Sequence, residues 1–156
     1  MVLPERGTYA LLIDIEGRTE ITVGSLGRVL IEPGVWVYVG SGMGSGPTGL
    51  KGRLRRHIET AEEGRDVKHW HIDHLLDALR PEVLGAWILK GSKECTLASA
   101  VSEVARDAIP GFGCTDCDCE THLFKADLPD TAKAVSEVGG GVYLPKPNLV
   151  RWVSEP

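Results

Sequence analysis

The sequence of 156 residues contains no apolar run that approaches the ~20 residues needed to cross a bilayer. It also lacks internal repeats and low-complexity linkers, and it is too short for two ordinary domains. The start, MVLPERGTY, has too short an apolar segment and too early an acid to be a signal peptide. We therefore expect one cytoplasmic domain over residues 1–156, with a core at about 7–125 and a C-terminal extension at 126–156.

An excess of positive charge is also lacking, because the formal net charge is -5 and the pI is near 5.5. Broad, non-specific adhesion to nucleic acid is driven by neutralisation of phosphates, so this charge balance argues against it. One basic run stands out, since Lys51, Arg53, Arg55 and Arg56 place four positive charges within six residues. Any contact with a polyanion is therefore expected to be focal.

Strand patterns fill the first third of the chain. The apolar segment 7–15 predicts a central strand, and segments 20–23 and 28–31 predict a hairpin closed by the turn at 24–27. In segment 35–39 valines alternate with a tryptophan and a tyrosine, which predicts another strand. We expect a meander of about four short strands.

Helical patterns follow a loop that holds six glycines from Gly40 to Gly52. The first helix is predicted from an apolar stripe of Leu50, Leu54, Ile58 and Ala61. Further helices are predicted at about 72–79, 92–107 with Ser92 as N-cap, and 130–138, strands at 83–89 and 122–125, and an irregular tail after 138. Strands first, then helices mixed with strands, predict an α+β fold rather than a doubly wound parallel sheet.

One acidic side chain, Glu94, is expected near the start of the helix at 92–107, on the same side as its buried stripe. That stripe is predicted to comprise Ala98, Val101, Val104, Ala105 and Ala108. One interpretation is helix-dipole complementarity, which favours acids in the first turn by ~0.3–1 kcal/mol. The other is a ligand for a hard divalent cation, since magnesium commonly uses one or two carboxylates and completes its shell with water and phosphate oxygens.

Four elements in this order resemble the GIY-YIG nuclease superfamily. They are Gly7-Thr8-Tyr9 on the first strand, Tyr38-Val39-Gly40 on a later strand, Leu50-Lys51-Gly52-Arg53-Leu54 opening a helix, and Glu94 on a later helix. Further segments resemble a mainly archaeal branch that is also found fused to endonuclease III-type glycosylases. They are Arg56-His57, Trp70-His71-Ile72-Asp73 and the cysteine-containing segment 111–119.

The resemblance implies a small mixed or antiparallel sheet flanked by helices, with the hairpin at 20–31 as an insertion. It further implies a metal-dependent endonuclease that hydrolyses DNA phosphodiester bonds in repair or recombination. The expected substrate is branched or damaged DNA, and a DNA-repair protein is an expected partner.

The implied catalytic residues are Tyr9, Tyr38, Arg53, His57 and Glu94. One of the two tyrosines would orient or deprotonate the attacking water, although a phenol of ordinary pKa ~10 is a poor base at neutral pH. Arg53 would bind the scissile phosphate, and Glu94 would hold Mg²⁺ or Mn²⁺. His57 would serve as a proton relay or a phosphate contact.

The expected nucleic-acid contacts are Lys51, Arg55, Arg56 and His71. The acidic balance and the extended loops motivate an alternative function, a non-catalytic nucleic-acid-binding accessory module with the same fold. Such a module would bind DNA in a salt-dependent manner without turnover. A third interpretation is dinucleotide binding, because segment 44–49 matches G-x-G-x-x-G between a strand and a helix.

Cys114, Cys117, Cys119 and His122 form a C-x-x-C-x-C-x-x-H pattern. Four such ligands suit a structural zinc ion, but an extended chain would point them to opposite faces, so a closed site needs a sharp turn. Buried thiols without metal are the alternative interpretation, and Cys95 beside Glu94 is an alternative ligand. A weaker ligand set is His69, His71 and Asp73, where the acid more simply complements a helix start.

Overall fold

A computed structural model describes residues 2–113 and 119–156. The strands and helices, in chain order, are β1 (Gly7–Ile15), β2 (Thr19–Val23), β3 (Gly27–Ile31), β4 (Gly34–Gly42), α1 (Leu50–Glu63), α2 (His71–Leu79), β5 (Glu82–Lys90), α3 (Glu94–Val104), β6 (Asp107–Ala108), β7 (Leu123–Lys125), α4 (Leu128–Glu137), β8 (Val142–Pro145) and α5 (Lys146–Ser154). In this part of the chain no helix combines the length and apolar character that a membrane span requires.

Six strands form one sheet in the order β6-β7-β4-β1-β5-β8, and every neighbouring pair is antiparallel. β2 and β3 form a separate two-stranded hairpin sheet. The predicted α+β fold with an antiparallel sheet and an added hairpin is therefore confirmed. β1 lies in the middle of the sheet, as its continuous apolar sequence predicted.

The large sheet is covered on both faces, which explains why β1 is buried along almost its whole length. Tyr9, Leu11 and Ile13 point into a core shared with α1, α2, α5 and the hairpin. Ala10 and Leu12 point into a second core that α3 and α4 cover. The alternation of side chains along a strand thus separates the two cores, as period-two geometry requires.

Helix α1 buries the side chains of all four predicted stripe residues, Leu50, Leu54, Ile58 and Ala61. The helix directly follows the glycine loop, since its N-cap is Gly49, and its C-cap is Gly64, which has a positive φ of 81°. A residue with positive φ is the usual termination of a helix. The position of this helix over the sheet brings Arg53 and His57 towards the two tyrosines.

The predicted limits of the third helix were wrong at both ends. α3 begins at Glu94 with Lys93 as N-cap, and the predicted cap, Ser92, is exposed. The reason is tertiary, because the Lys93 N–H donates to the hydroxyl of Thr8 on β1 at 2.8 Å. At the other end, Ala108 leaves the predicted stripe because it pairs with β7.

The prediction of an irregular tail after residue 138 was also wrong. β8 adds a strand to the edge of the sheet beside β5, and α5 packs against α1 and β5. Leu149 and Val153 on α5 are four residues apart and both are buried. Their spacing is a helical signal within the segment that was interpreted as a tail.

Candidate active site

Tyr9 and Tyr38 lie on adjacent strands and on the same face of the sheet. Tyr9 pairs with Gly40, and Tyr38 pairs with Leu11, so the two tyrosines are diagonal neighbours. Their ring centroids are 6.3 Å apart with an interplanar angle of 52°. A Cβ atom at Gly40 would lie 2.5 Å from the Tyr9 hydroxyl oxygen, so the glycine is needed to leave room for that ring.

A buried hydrogen bond joins Tyr9 to His57. The hydroxyl oxygen of Tyr9 lies 2.6 Å from Nε2 of His57, and neither side chain is exposed to solvent. The other ring nitrogen of His57, Nδ1, is buried and has no hydrogen-bond partner in the described part of the chain. The pair lies behind the wall of a neighbouring cavity. A phosphate bound in that cavity would therefore not contact His57 directly.

Burial sets the protonation of this pair. Burial and, to a smaller extent, the positive charge of Arg53 lower the pKa of His57 to about 3. Burial also raises the pKa of Tyr9 far above its ordinary value, although Arg53 opposes that rise. The pKa of Tyr38 is raised as well, first by burial and then by the proximity of Tyr9. All three groups are therefore neutral at pH 7.

A cavity of about 400 Å³ opens beside this pair. Residues of the sheet, the hairpin turn and three helices line it, as do the residues just before α2. Its lining residues are Gly24, Ser25, Tyr38, Ser41, Arg53, His69, Trp70, His71, His74, Glu94 and Gly113. Three of the five predicted catalytic residues, Tyr38, Arg53 and Glu94, thus share one cavity, and the other two lie behind it.

Arg53 is held on two sides at the wall of this cavity. Its guanidinium carbon lies 4.0 Å from the centroid of the Trp70 ring, within the range of a cation–π contact. Its Nη1 donates to the backbone carbonyl of Ser41 at 2.8 Å. Its Nε is buried and has no hydrogen-bond partner among residues 2–113 and 119–156. The guanidinium is therefore fixed in place while part of its donor capacity is unused.

Glu94 begins α3 and is positioned by a side chain from β1. The Thr8 hydroxyl accepts from Lys93 N–H and donates to the Gly91 carbonyl, each at 2.8 Å. This buried bridge fixes the turn between β5 and α3. Thr8 occupies the middle of the Gly7-Thr8-Tyr9 triplet. The same strand therefore fixes the backbone next to Glu94 and carries the buried Tyr9.

The Glu94 carboxylate fits a hard divalent cation. Its side chain is 30% exposed and lines the same cavity as Arg53. A partly exposed oxygen ligand in an open cavity leaves room for the water and phosphate oxygens that complete a magnesium shell. The predicted role of Glu94 as a ligand for Mg²⁺ or Mn²⁺ is therefore compatible with its surroundings.

The basic run of α1 does not form one patch. Lys51 lies 5.8 Å from the ring centroid of Trp152, and Arg55 donates to the Val153 carbonyl on α5. Both line a hollow on the α5 side of the helix, away from the Arg53 cavity. Lys51 and Arg55 therefore do not share a surface with Arg53, and their role as nucleic-acid contacts stays a prediction.

Arg56 is also committed to a structural contact. Its guanidinium donates to both carboxylate oxygens of Asp73, at 2.9 and 3.3 Å, and it packs over Trp70 at 4.9 Å. Burial alone would raise the pKa of Asp73, but hydrogen bonds from Arg56 and from the backbone N–H groups of His69 and Trp70 hold that pKa below its ordinary value. Asp73 thus fixes the start of α2, as its position in the sequence predicted.

His71 does line the cavity, as predicted. Its Nδ1 accepts a hydrogen bond from Gly113 N–H at 2.9 Å. Sequence reasoning missed Ser25, His74 and the stacking role of Trp70. A signal for Trp70 was present, because it directly precedes His71 at the start of an amphipathic helix, but its contact with two arginines depends on how α1 and α2 pack.

The glycine loop lies outside the Arg53 cavity. Gly44, Gly46 and Gly49 line the hollow that also contains Lys51 and Arg55. A Cβ at Gly52 would lie 2.4 Å from the Gly46 carbonyl oxygen, so the loop packs directly on α1. β4, which precedes the loop, is antiparallel to its neighbours, whereas dinucleotide binding by G-x-G-x-x-G uses a parallel β-α-β unit. The dinucleotide interpretation does not fit this setting.

Part of the predicted zinc set is brought together. Ligand atoms of Cys119, His122 and Cys95 all lie within 4.8 Å of one another. Cys95 was the alternative ligand suggested by the sequence. The predicted ligands Cys114 and Cys117 lie outside the described residues.

These features define an α+β protein whose antiparallel sheet carries a buried tyrosine–histidine pair beneath a cavity lined by arginine and glutamate. Comparison by sequence places it in one family, because residues 8–143 match the model of Domain of unknown function DUF123. The chain belongs to that family. It matches no curated protein and no solved structure.

Proposed function

We propose that this protein is a GIY-YIG-like endonuclease that hydrolyses DNA phosphodiester bonds with the help of a divalent cation. The observation that supports the proposal most directly is the shared cavity of Tyr38, Arg53 and Glu94. These residues come from one strand and two helices that are distant in the sequence. Their convergence beside the buried Tyr9–His57 pair supports the proposal that they form one site.

The cavity offers the charges that phosphodiester hydrolysis needs. Charge on the non-bridging oxygens has to be stabilised while water attacks in line with the leaving oxygen. Arg53 supplies a guanidinium that lines the cavity and is fixed by Ser41 and Trp70, so it could donate to a phosphate oxygen there. Glu94 would hold Mg²⁺ or Mn²⁺, which supplies Lewis-acid stabilisation of the phosphate when bound.

The tyrosines act as neutral hydrogen-bonding groups in this proposal. Burial raises the pKa of both Tyr9 and Tyr38, which disfavours the phenolate that would take a proton from water. Tyr38 lines the cavity and can orient a nucleophile or substrate oxygen through its hydroxyl. Tyr9 holds its hydroxyl against His57 and supports this wall from behind. Of the two implied tyrosine roles, orientation of water is therefore the one we propose.

The same proposal includes a cytoplasmic setting, where reducing conditions keep the cysteine thiols reduced. The expected substrate is branched or damaged DNA, and the function lies in repair or recombination.

The test is incubation of the full chain with nicked, branched and single-stranded DNA in the presence of magnesium or manganese. Cleavage that requires the metal is expected, and Arg53→Ala should lower the rate by about 100-fold, as loss of one charge-stabilising donor typically does. Glu94→Gln should abolish the metal-dependent cleavage. Glu103→Gln, an exposed acid on the same helix, is the matched control.

A non-catalytic DNA-binding module is the second candidate. The full burial of Tyr9 and His57 favours it, because neither group can reach a substrate from its present position. In that case the protein would bind branched DNA in a salt-dependent manner, Arg53→Ala would weaken the binding, and no metal would produce cleavage. The incubation above separates the two candidates directly.

A further inference from the structure

Sulfur and imidazole ligands converge at a second place, next to Glu94 but with different chemistry. Cys95 lies in the first turn of α3, and Cys119 and His122 lie just before β7. One potential ligand atom from each residue falls within 4.8 Å of the other two. Two cysteines and a histidine are the ligands that zinc and similar borderline cations prefer, whereas magnesium prefers oxygen.

The backbone holds the Cys119 to His122 segment in place. Gly111 N–H donates to the Glu120 carbonyl at 2.8 Å, and His122 N–H donates to the Phe112 carbonyl at 2.9 Å. On the other side, Val39 N–H donates to the His122 carbonyl at 2.9 Å. The backbone of His122 is therefore paired on both sides, and Cys119 directly precedes the paired residue Glu120.

The ring of His122 is oriented as in many metal sites. Its Nδ1 lies 3.0 Å from the Val39 carbonyl oxygen, and the side chain is 1% exposed. A carbonyl oxygen only accepts, so Nδ1 carries the proton and the lone pair is on Nε2. Histidines that bind metals commonly donate their other ring N–H to a carbonyl or a carboxylate, which fixes the tautomer.

We propose that Cys95, Cys119 and His122 bind one zinc-class divalent cation. The two thiols lose their protons to solvent on binding, and each resulting thiolate donates to the metal. Water or a further side chain completes the fourth position of the tetrahedral shell. The site is separate from the oxygen ligand that Glu94 would offer to magnesium, and it does not depend on the proposed nuclease function.

Metal binding would connect three elements around Glu94. Cys95 follows Glu94 directly, and the nearer carboxylate oxygen of Glu94 is 3.8 Å from Nδ1 of His122. His122 is in turn bonded to β4 through Val39. An ion held by Cys95 and His122 would therefore tie the first turn of α3 to the sheet and fix the start of the helix that carries Glu94.

The experiment titrates the reduced, metal-free full chain with Co²⁺, a spectroscopic substitute for Zn²⁺, and then displaces the Co²⁺ with Zn²⁺. We expect one equivalent to bind with a thiolate-to-cobalt charge-transfer band. Cys95→Ser should weaken binding at least about tenfold, as loss of even outer-shell support can do, and should reduce the intensity of that band. Because Cys95 is exposed, the variant is expected to keep the wild-type far-ultraviolet circular dichroism.

Thr96→Ala, at the neighbouring exposed position, is the matched control and should bind like the wild type. Cys119→Ser should reproduce the effect of Cys95→Ser. The proposal is overturned if the reduced wild type binds neither metal, or if Cys95→Ser binds Co²⁺ with wild-type affinity and band intensity. Isolation of the protein with a Cys95–Cys119 disulfide that persists in mild reductant and prevents metal binding would also overturn it.

Discussion

The buried His57 makes the stability of the fold depend on pH in a window that can be calculated. Burial lowers the pKa of His57 from 6.5 to about 3 in the folded state, whereas the unfolded chain titrates near 6.5. Below pH 6.5 the unfolded state therefore binds a proton that the folded state does not. Stability falls by ~1.4 kcal/mol for each pH unit in this window, so pH 5 costs about 2 kcal/mol relative to pH 7.

The charged groups around His57 do not cancel this effect. Burial is the largest cause of its lowered pKa, Arg53, Arg56 and Arg65 contribute in the same direction, and of the charged groups around it only Asp73 raises it. Asp73 itself has a lowered pKa, so its contribution is lost only as the pH falls through values below its ordinary ~3.9. That loss lies outside the window from pH 7 to pH 5.

The assay is urea unfolding of the wild type and of His57→Gln at pH 7 and pH 5. The variant should lose most of the pH dependence, whatever its absolute stability, because glutamine stays neutral. His69→Gln, an exposed histidine, is the matched control, and His71→Gln measures the smaller effect of a pKa lowered by partial burial and by His74. A wild type that is no less stable at pH 5 than at pH 7, or a variant with an unchanged pH dependence, would refute the reasoning.

Three further predictions concern the same part of the molecule. Thr8→Val should destabilise the fold by about 1–2 kcal/mol in thermal unfolding, because it leaves the Lys93 N–H without its acceptor. Rate measurements should also show that Thr8→Val lowers the Glu94-dependent activity more than Thr8→Ser does. Gly40→Ala should cost about 1–3 kcal/mol, since the new methyl group would lie 2.5 Å from the Tyr9 hydroxyl, whereas Gly17→Ala, with no atom nearby, should be near neutral. In a Tyr143→Phe variant, tyrosinate absorbance should appear only together with unfolding as the pH is raised, because burial raises the pKa of Tyr9 and Tyr38, and its appearance in the folded variant near pH 10 would contradict this.

Local periodicity was enough to predict much of the fold. The alternation of apolar and polar residues in 20–31 predicted the hairpin. The apolar stripe of α1 predicted which face of the helix is buried, and helical spacing predicted that Arg53 and His57 share one side of it. These signals are local, since they depend on neighbours two to four positions apart. The α3 cap could not be found in this way, because Thr8, which determines it, lies 85 residues away.

The sequence could not show that the cations of the basic run lie on different sides of α1, for the same reason. Four cations within six residues of a helix point in different directions. Which of them lines the cavity depends on the elements that pack on each side of the helix. Trp70 before α2 holds Arg53 and Arg56, while Val153 on α5 accepts from Arg55. The tail that supplies this second partner was predicted to be irregular, so its influence on the basic helix could not be predicted either.

We propose that the cavity of Arg53 and Glu94 hydrolyses phosphodiester bonds. The most direct measurement is the single-turnover rate of branched-DNA cleavage in magnesium by the wild type, Arg53→Ala and Arg55→Ala. We expect cleavage by the wild type, a loss of about 100-fold for Arg53→Ala, and a rate near that of the wild type for Arg55→Ala, because Arg55 lies on the α5 side of α1. No cleavage by the wild type, or equal rates for the two variants, would contradict it.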